Sequence, residues 1–155
     1  MPAKWLSKEQ SEKVLENGFY GRMATSVDDR PYITPVNYAY HQGKIFIHCN
    51  VRGRKLDNIA KNPQVCFEVS ETHKLVKDKK PCGFGVRFSS VLVFGRARLV
   101  EELDQKMEAT MVIVKKYAGD FICDPIPQKQ LKSIAIIEIT IDELTGKQNV
   151  DPQDL

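Results

Sequence analysis

The stretch that decides the fold is Tyr32–Pro63, YITPVNYAYHQGKIFIHCNVRGRKLDNIAKNP. Tyr32–Tyr40 alternates and is rich in aromatic and β-branched residues, as a half-buried strand requires. His41-Gln42-Gly43-Lys44 is the connection of a tight hairpin, and Ile45–Cys49 is the returning strand. Pro35 lacks an N–H for a ladder, so its strand lies at a sheet edge or carries a bulge, where a ligand can approach the backbone. Arg54–Lys61 then reads as a short helix with Leu56, Ile59 and Ala60 on one side. It stops before Pro63 because the residue preceding proline is disfavoured in helical geometry.

Working outward, Ser7-Lys8-Glu9-Gln10 has the S-x-x-Q spacing of a capping box. It starts a helix over Lys8 to Asn17, with Gly18 placed to end it in a left-handed conformation. Phe19–Ser26 is a strand, followed by the turn-forming Asp28-Asp29-Arg30-Pro31. After Pro63 come strands over Gln64–Ser70 and Val86–Glu101, an amphipathic helix over Asp104–Tyr117 and a last strand over Ser133–Ile141. The basic run His73–Lys80 reads as a solvated loop between strands. The polar tail, about 148–155, is expected to fray at Asp151–Leu155. Five or six strands linked by short turns, with few helices, point to a single mainly β domain over 1–155, an antiparallel barrel closed at its ends by the helices.

Composition narrows the function. The 155 residues carry 23 Lys and Arg against 20 Asp and Glu, a net charge of +3. That is too even for a dedicated nucleic-acid binder, whose positive charge is concentrated. The longest apolar runs, such as Ile134–Ile137 and Val91–Phe94, fall far short of the roughly 20 residues that span a membrane. No secretory signal is visible at the start. The scattered Cys49, Cys66, Cys82 and Cys123 form no CxxC pair, so a zinc knuckle is excluded, a disulfide framework is disfavoured, and a reducing, cytoplasmic setting is expected. Dinucleotide, P-loop, zinc-protease and serine-hydrolase signatures are absent. Three histidines standing apart, His41, His48 and His73, give no metal-ligand spacing.

One constellation stands out. A strand delivers His48, Cys49 and Asn50 to a loop, Gly53 permits a sharp bend, and Arg54-Lys55 arrive at a helix N-terminus. Cations are unfavourable at that end of the helix dipole unless an anion compensates, and the free N–H groups there favour an anion. Adjacent strand residues point to opposite faces, so His48 and Cys49 should not act as a nucleophile–base pair.

These residues carry a resemblance. GRMAT at Gly21–Thr25, PYITPVNY at Pro31–Tyr38, IFIHCNVRGRKLDNIAKNPQVCFEV at Ile45–Val69, FSSVLVFGRARLVE at Phe88–Glu101 and ITIDELTGK at Ile139–Lys147 follow one another in the order of a known family. The chain resembles the pyridoxamine 5′-phosphate oxidase-like FMN-binding split barrels, and within them the 5-nitroimidazole resistance branch. The resemblance implies a six-stranded antiparallel split β-barrel, homodimeric, with FMN between the subunits. Thr34, Pro35, Val36, Asn37 and Tyr38 resemble the segment beside the flavin ring, and His48 and Cys49 the strand end contacting the cofactor. Arg54 and Lys55 match the pair gripping the phosphate, and Ser89 and Ser90 the position reaching the partner's site. His48 also matches a histidine near flavin and substrate, which makes it the candidate catalytic residue. Cys49 replaces a small residue common at that point, which leaves the substrate open.

The implied activity is FMN-dependent reduction of a small organic acceptor, such as a nitroaromatic. A flavin carrier or sensor without turnover is the alternative, as is a barrel holding deazaflavin or haem. No matching pyridoxamine phosphate site is traceable.

Overall fold

The computed structural model describes residues 3–151. Helix α1, Lys8–Asn17, forms where the capping box predicts it: Ser7 Oγ accepts from the Gln10 N–H at 3.2 Å while Gln10 Oε1 accepts from the Ser7 N–H at 2.9 Å. Gly18 does not end it in the left-handed conformation, for its φ is −58°. Glycine is required there for a different reason: a Cβ would drive into Val69 and the Tyr38 hydroxyl.

Eight strands follow the order of the chain: β1 Lys4–Trp5, β2 Gly21–Val27, β3 Arg30–Val36, β4 Tyr38–His41, β5 Lys44–Asn50, β6 Gln64–Val76, β7 Gly85–Leu99 and β8 Ile134–Asn149. The connection between β2 and β3 turns through two residues with positive φ, Asp28 and Asp29, and that between β4 and β5 through Gln42 and Gly43. Both are the primed hairpin turns whose twist matches that of the strands. Helix α2, Arg54–Lys61, packs Leu56 and Ile59 inward. Asn62 ties its end to β2 by donating to the Ser26 carbonyl at 2.9 Å. Helices α3, Leu103–Ala118, and α4, Gln128–Ser133, sit between β7 and β8 in the chain, and a single 3₁₀ turn, Pro81–Gly83, joins β6 to β7.

The expectation of a mainly β, six-stranded barrel is corrected in two respects. The described chain is 29% helical and 48% strand, a mixed fold. Its sheet runs β3-β2-β6-β7-β8-β5-β4, with β1 added on β8, and the end strands β3 and β4 are not paired. The sheet is therefore open. The chain passes from one edge to the other through Asn37 alone, and Pro35 near that point has no N–H to offer a closing ladder. Pro35 lies on an edge strand, one of the two positions its ring allows.

Val36 and Tyr38, from the two edges, still share one buried cluster with Met23, Ile47, Phe67 and Ile137. The sheet thus wraps a core without hydrogen-bonding shut. That core is complete within one chain, so the fold by itself does not require the homodimer that the resemblance implied. Asp151, expected in a fraying tail, instead accepts from Arg87 Nε at 2.7 Å and pairs with Lys74 at 3.1 Å. Residues 152–155 lie outside the described residues.

Candidate functional site

The site is built where the start of α2 meets the β2–β3 turn and the first residues of β3. Gly53 has φ 147° and ψ 158°, a conformation open essentially to glycine, and a Cβ there would meet nothing within 4 Å. The sharp bend therefore rests on backbone freedom alone. No side chain caps α2, and although the Leu56 and Asp57 N–H groups donate to the Gly53 carbonyl, those of Arg54 and Lys55 stay available among the described residues. Arg54 lies over the Tyr32 ring at 5.4 Å from its centroid. Among the described residues neither Arg54 nor Lys55 is ion-paired.

A cavity of about 200 Å³ opens beside Arg54, lined by Arg30, Tyr32 and Asn58 as well as the β2–β3 turn. Asn58 fixes that wall by donating to Thr25 Oγ1 at 2.8 Å. Two unpaired cations, free N–H groups and a glycine bend are the donor set that a phosphate monoester needs. By this criterion the residues present fit the phosphate end of a flavin mononucleotide.

The other expected residues divide. Thr34 is half-buried on β3, and Pro35 and Asn37 are exposed, so all three can border a ligand. Val36 and Tyr38 face the core. Tyr38 is fully buried; its hydroxyl donates to the Leu15 carbonyl and its backbone N–H donates to the Tyr117 hydroxyl at 3.0 Å. Its ring cannot edge a ligand. His48 is exposed, whereas Cys49 is half-buried and packs on the core, the divergence expected of neighbouring strand residues. Burial pushes the Cys49 thiol up in pKa, and nearby Lys55 partly opposes that shift.

Ser89 and Ser90 are not brought to this site within one chain. They lie on the β6–β7 arm, where Ser90 Oγ donates to the Lys147 carbonyl at 3.4 Å and buried Ser89 meets His73 Nε2 at 2.9 Å. Sequence reading missed His73 because it sits in a polar run. The signal is the register shift between Thr72 and Lys74, a bulge that re-aims the side chain toward Ser89.

Residues 7–148 match the pyridoxamine 5′-phosphate oxidase family. The chain belongs to the pyridoxamine 5′-phosphate oxidase-like family. It is 35% identical over 150 residues to an uncharacterized protein of Rhizobium meliloti (strain 1021), covering 92% of each chain. Among solved structures it is similar to a candidate 5-nitroimidazole antibiotic resistance protein of Bacteroides thetaiotaomicron, with a TM-score of 0.81, 21% identity and coverage of 96% of this chain and 89% of that one. It is also similar to the flavocytochrome Anf3 of Azotobacter vinelandii, with a TM-score of 0.83, 21% identity and coverage of 97% of this chain and 70% of the other. At such identity these two likenesses establish the fold. Family membership associates the chain with flavin-dependent oxidoreductases and flavin carriers.

Proposed function

We propose that this chain binds FMN and works as a cytoplasmic FMN-dependent oxidoreductase that reduces a small organic acceptor, a nitroaromatic being the class the resemblance favours. The observation that carries the reading is the pair Arg54 and Lys55 at an uncapped helix start, cationic where the dipole is already positive and, among the described residues, without an ion-pair partner. The flavin supplies the hydride and electron transfer.

The chain's own residues do the rest. Arg54 gives the phosphate a planar fork, held flat by Tyr32, and Lys55 gives a point charge. Thr34, Pro35 and Asn37 border the ring, with Val36 contributing backbone and Tyr38 fixing that backbone from the core. Exposed His48 can donate a hydrogen bond or a proton to an acceptor oxygen. In this reading a second copy of the chain brings Ser89 and Ser90 to the flavin, since one chain keeps them apart from α2. A flavin carrier without turnover uses the same pocket and is separated by activity alone.

FMN titration tests the pocket. Arg54→Ala and Lys55→Ala should each weaken FMN binding about tenfold or more, equal to about 1.4 kcal/mol. Their melting temperatures should stay within a few degrees of the parent, because Arg54 is exposed, Lys55 is only half-buried and neither is ion-paired among the described residues. Unchanged FMN affinity in both variants contradicts the assignment. Oxidation of a nicotinamide donor in the presence of nitroimidazole or quinone then separates enzyme from carrier.

A further inference from the structure

Two further cavities share no lining residue with the α2 pocket. The larger, about 960 Å³, lies between α3 and the segment 119–127, and its walls are mainly apolar: Met107, Met111, Val114, Phe121 and Ile126. The smaller, about 250 Å³, lies under α3 against β5 and β8, and its floor is polar: Lys44, Arg98, Gln105 and Glu138. His41, Glu108 and Val112 line both, so the two adjoin along one wall. The larger falls within the range of small-molecule sites, roughly 300–1,000 Å³, with the smaller as an annex to it, and methionine walls adapt to varied apolar shapes. Met111 and Phe121 remain 48% and 77% exposed, large apolar surface that an occupant would cover.

The polar end selects the chemistry. Arg98 Nε and Lys44 Nζ both donate to the same oxygen, Oε1 of buried Glu138, at 2.8 and 3.2 Å. Two cations on one carboxylate leave that triad with one positive charge. Arg98 gives one more N–H to Gln105 at 3.3 Å, and both cations keep further donors. The remaining hydrogen-bonding capacity of the two cations is therefore for an acceptor. Glu108, exposed on α3 at the junction, opposes it, as do Glu102 near Arg98 and Asp124 on the wall of the larger cavity.

We propose that these adjoining cavities form a second ligand site, which takes an amphipathic monocarboxylate. The carboxylate meets Arg98 and Lys44, and the chain or ring of the ligand lies against Met107, Met111 and Phe121.

The test uses the full chain with anilinonaphthalene sulfonate as fluorescent reporter and dodecanoate as competitor. Saturable binding of one reporter per chain, displaced by dodecanoate, is expected. Arg98→Gln and Met111→Glu should each weaken dodecanoate about tenfold, whereas Glu108→Gln should tighten it by removing an opposing charge, and Met111→Leu should leave it within about twofold. Met111 is half exposed, so its replacement leaves the fold in place, and unchanged FMN titration in each variant confirms that. Absence of displacement overturns the proposal, as does equal dodecanoate affinity across Arg98→Gln, Met111→Glu and the parent. Failure here leaves the α2 pocket untouched, because FMN is measured separately.

Discussion

At the scale of single residues, Lys116 sets an unusual local condition. Its Nζ is buried, has no hydrogen-bond partner among the described residues and sits 3.7 Å from the centroid of the Tyr38 ring. Burial lowers its pKa to about 8, with Glu16 opposing. The unfolded chain holds that proton up to the ordinary lysine range, so between pH 8 and about 10 unfolding takes up protons there. Stability at this residue consequently rises with pH over that window, while below pH 8 the full cost of burying the charge is present. Burial and Tyr117 push the Tyr38 phenol the other way, so its loss of a proton opposes folding only above the ordinary tyrosine range. Lys116→Met removes the lysine's contribution but keeps the apolar stem. The advantage in melting temperature of Lys116→Met over the parent should shrink from pH 7.5 to pH 9.5; a constant difference across those values contradicts the assignment.

Residue-scale reading from sequence succeeded where the chemistry was local. The misplaced cations Arg54 and Lys55, and the divergence of His48 from Cys49, follow from helix polarity and strand alternation. Only the resemblance places Tyr38 beside the flavin, whereas strand alternation puts it on the same face as Val36, and both are buried.

At the scale of elements, α1 and α2 appear with the bounds the sequence predicts, because the capping box at Ser7 and the proline at Pro63 are covalent signals of start and stop. The strands were under-read. Beyond Ser70, β6 continues through Glu71-Thr72-His73-Lys74, and beyond Ile141, β8 continues through Asp142-Glu143-Leu144-Thr145. Those segments are held by cross-strand pairing with β7, which no apolar alternation announces.

The start of α2 gives the prediction proper to this scale. Gly53→Ala places a side chain at φ 147° with open space around it, so its cost is conformational only, about 1–3 kcal/mol. Since relaxing that bend shifts the helix start, FMN affinity should fall along with the melting temperature. Wild-type stability and affinity in Gly53→Ala would show that the bend does not set the pocket.

For the whole molecule, the sheet order explains why closure was over-predicted. Whether β3 meets β4 is a contact between two edges, decided by the wrap of all the intervening strands, and local pattern carries no information about it. An outward-facing row crosses β3, β2, β6 and β7 at Ile33, Ala24, Cys66 and Phe94, each opposite the next in register, with Ile33 64% and Phe94 46% exposed. The proposed second copy has an apolar surface to meet in that row. Ile33→Lys with Phe94→Glu should shift the chain to monomer in sedimentation if that row is the interface, and should weaken flavin retention if Ser89 and Ser90 act across it. A parent that sediments as a monomer while holding FMN removes the second copy from the account.

The most direct measurement is the absorbance spectrum of the purified chain, followed by identification of the chromophore released on denaturation. The account predicts a two-band flavin spectrum and release of FMN, or uptake of added FMN to one per chain with the same spectrum. A colourless protein that does not take up FMN contradicts it.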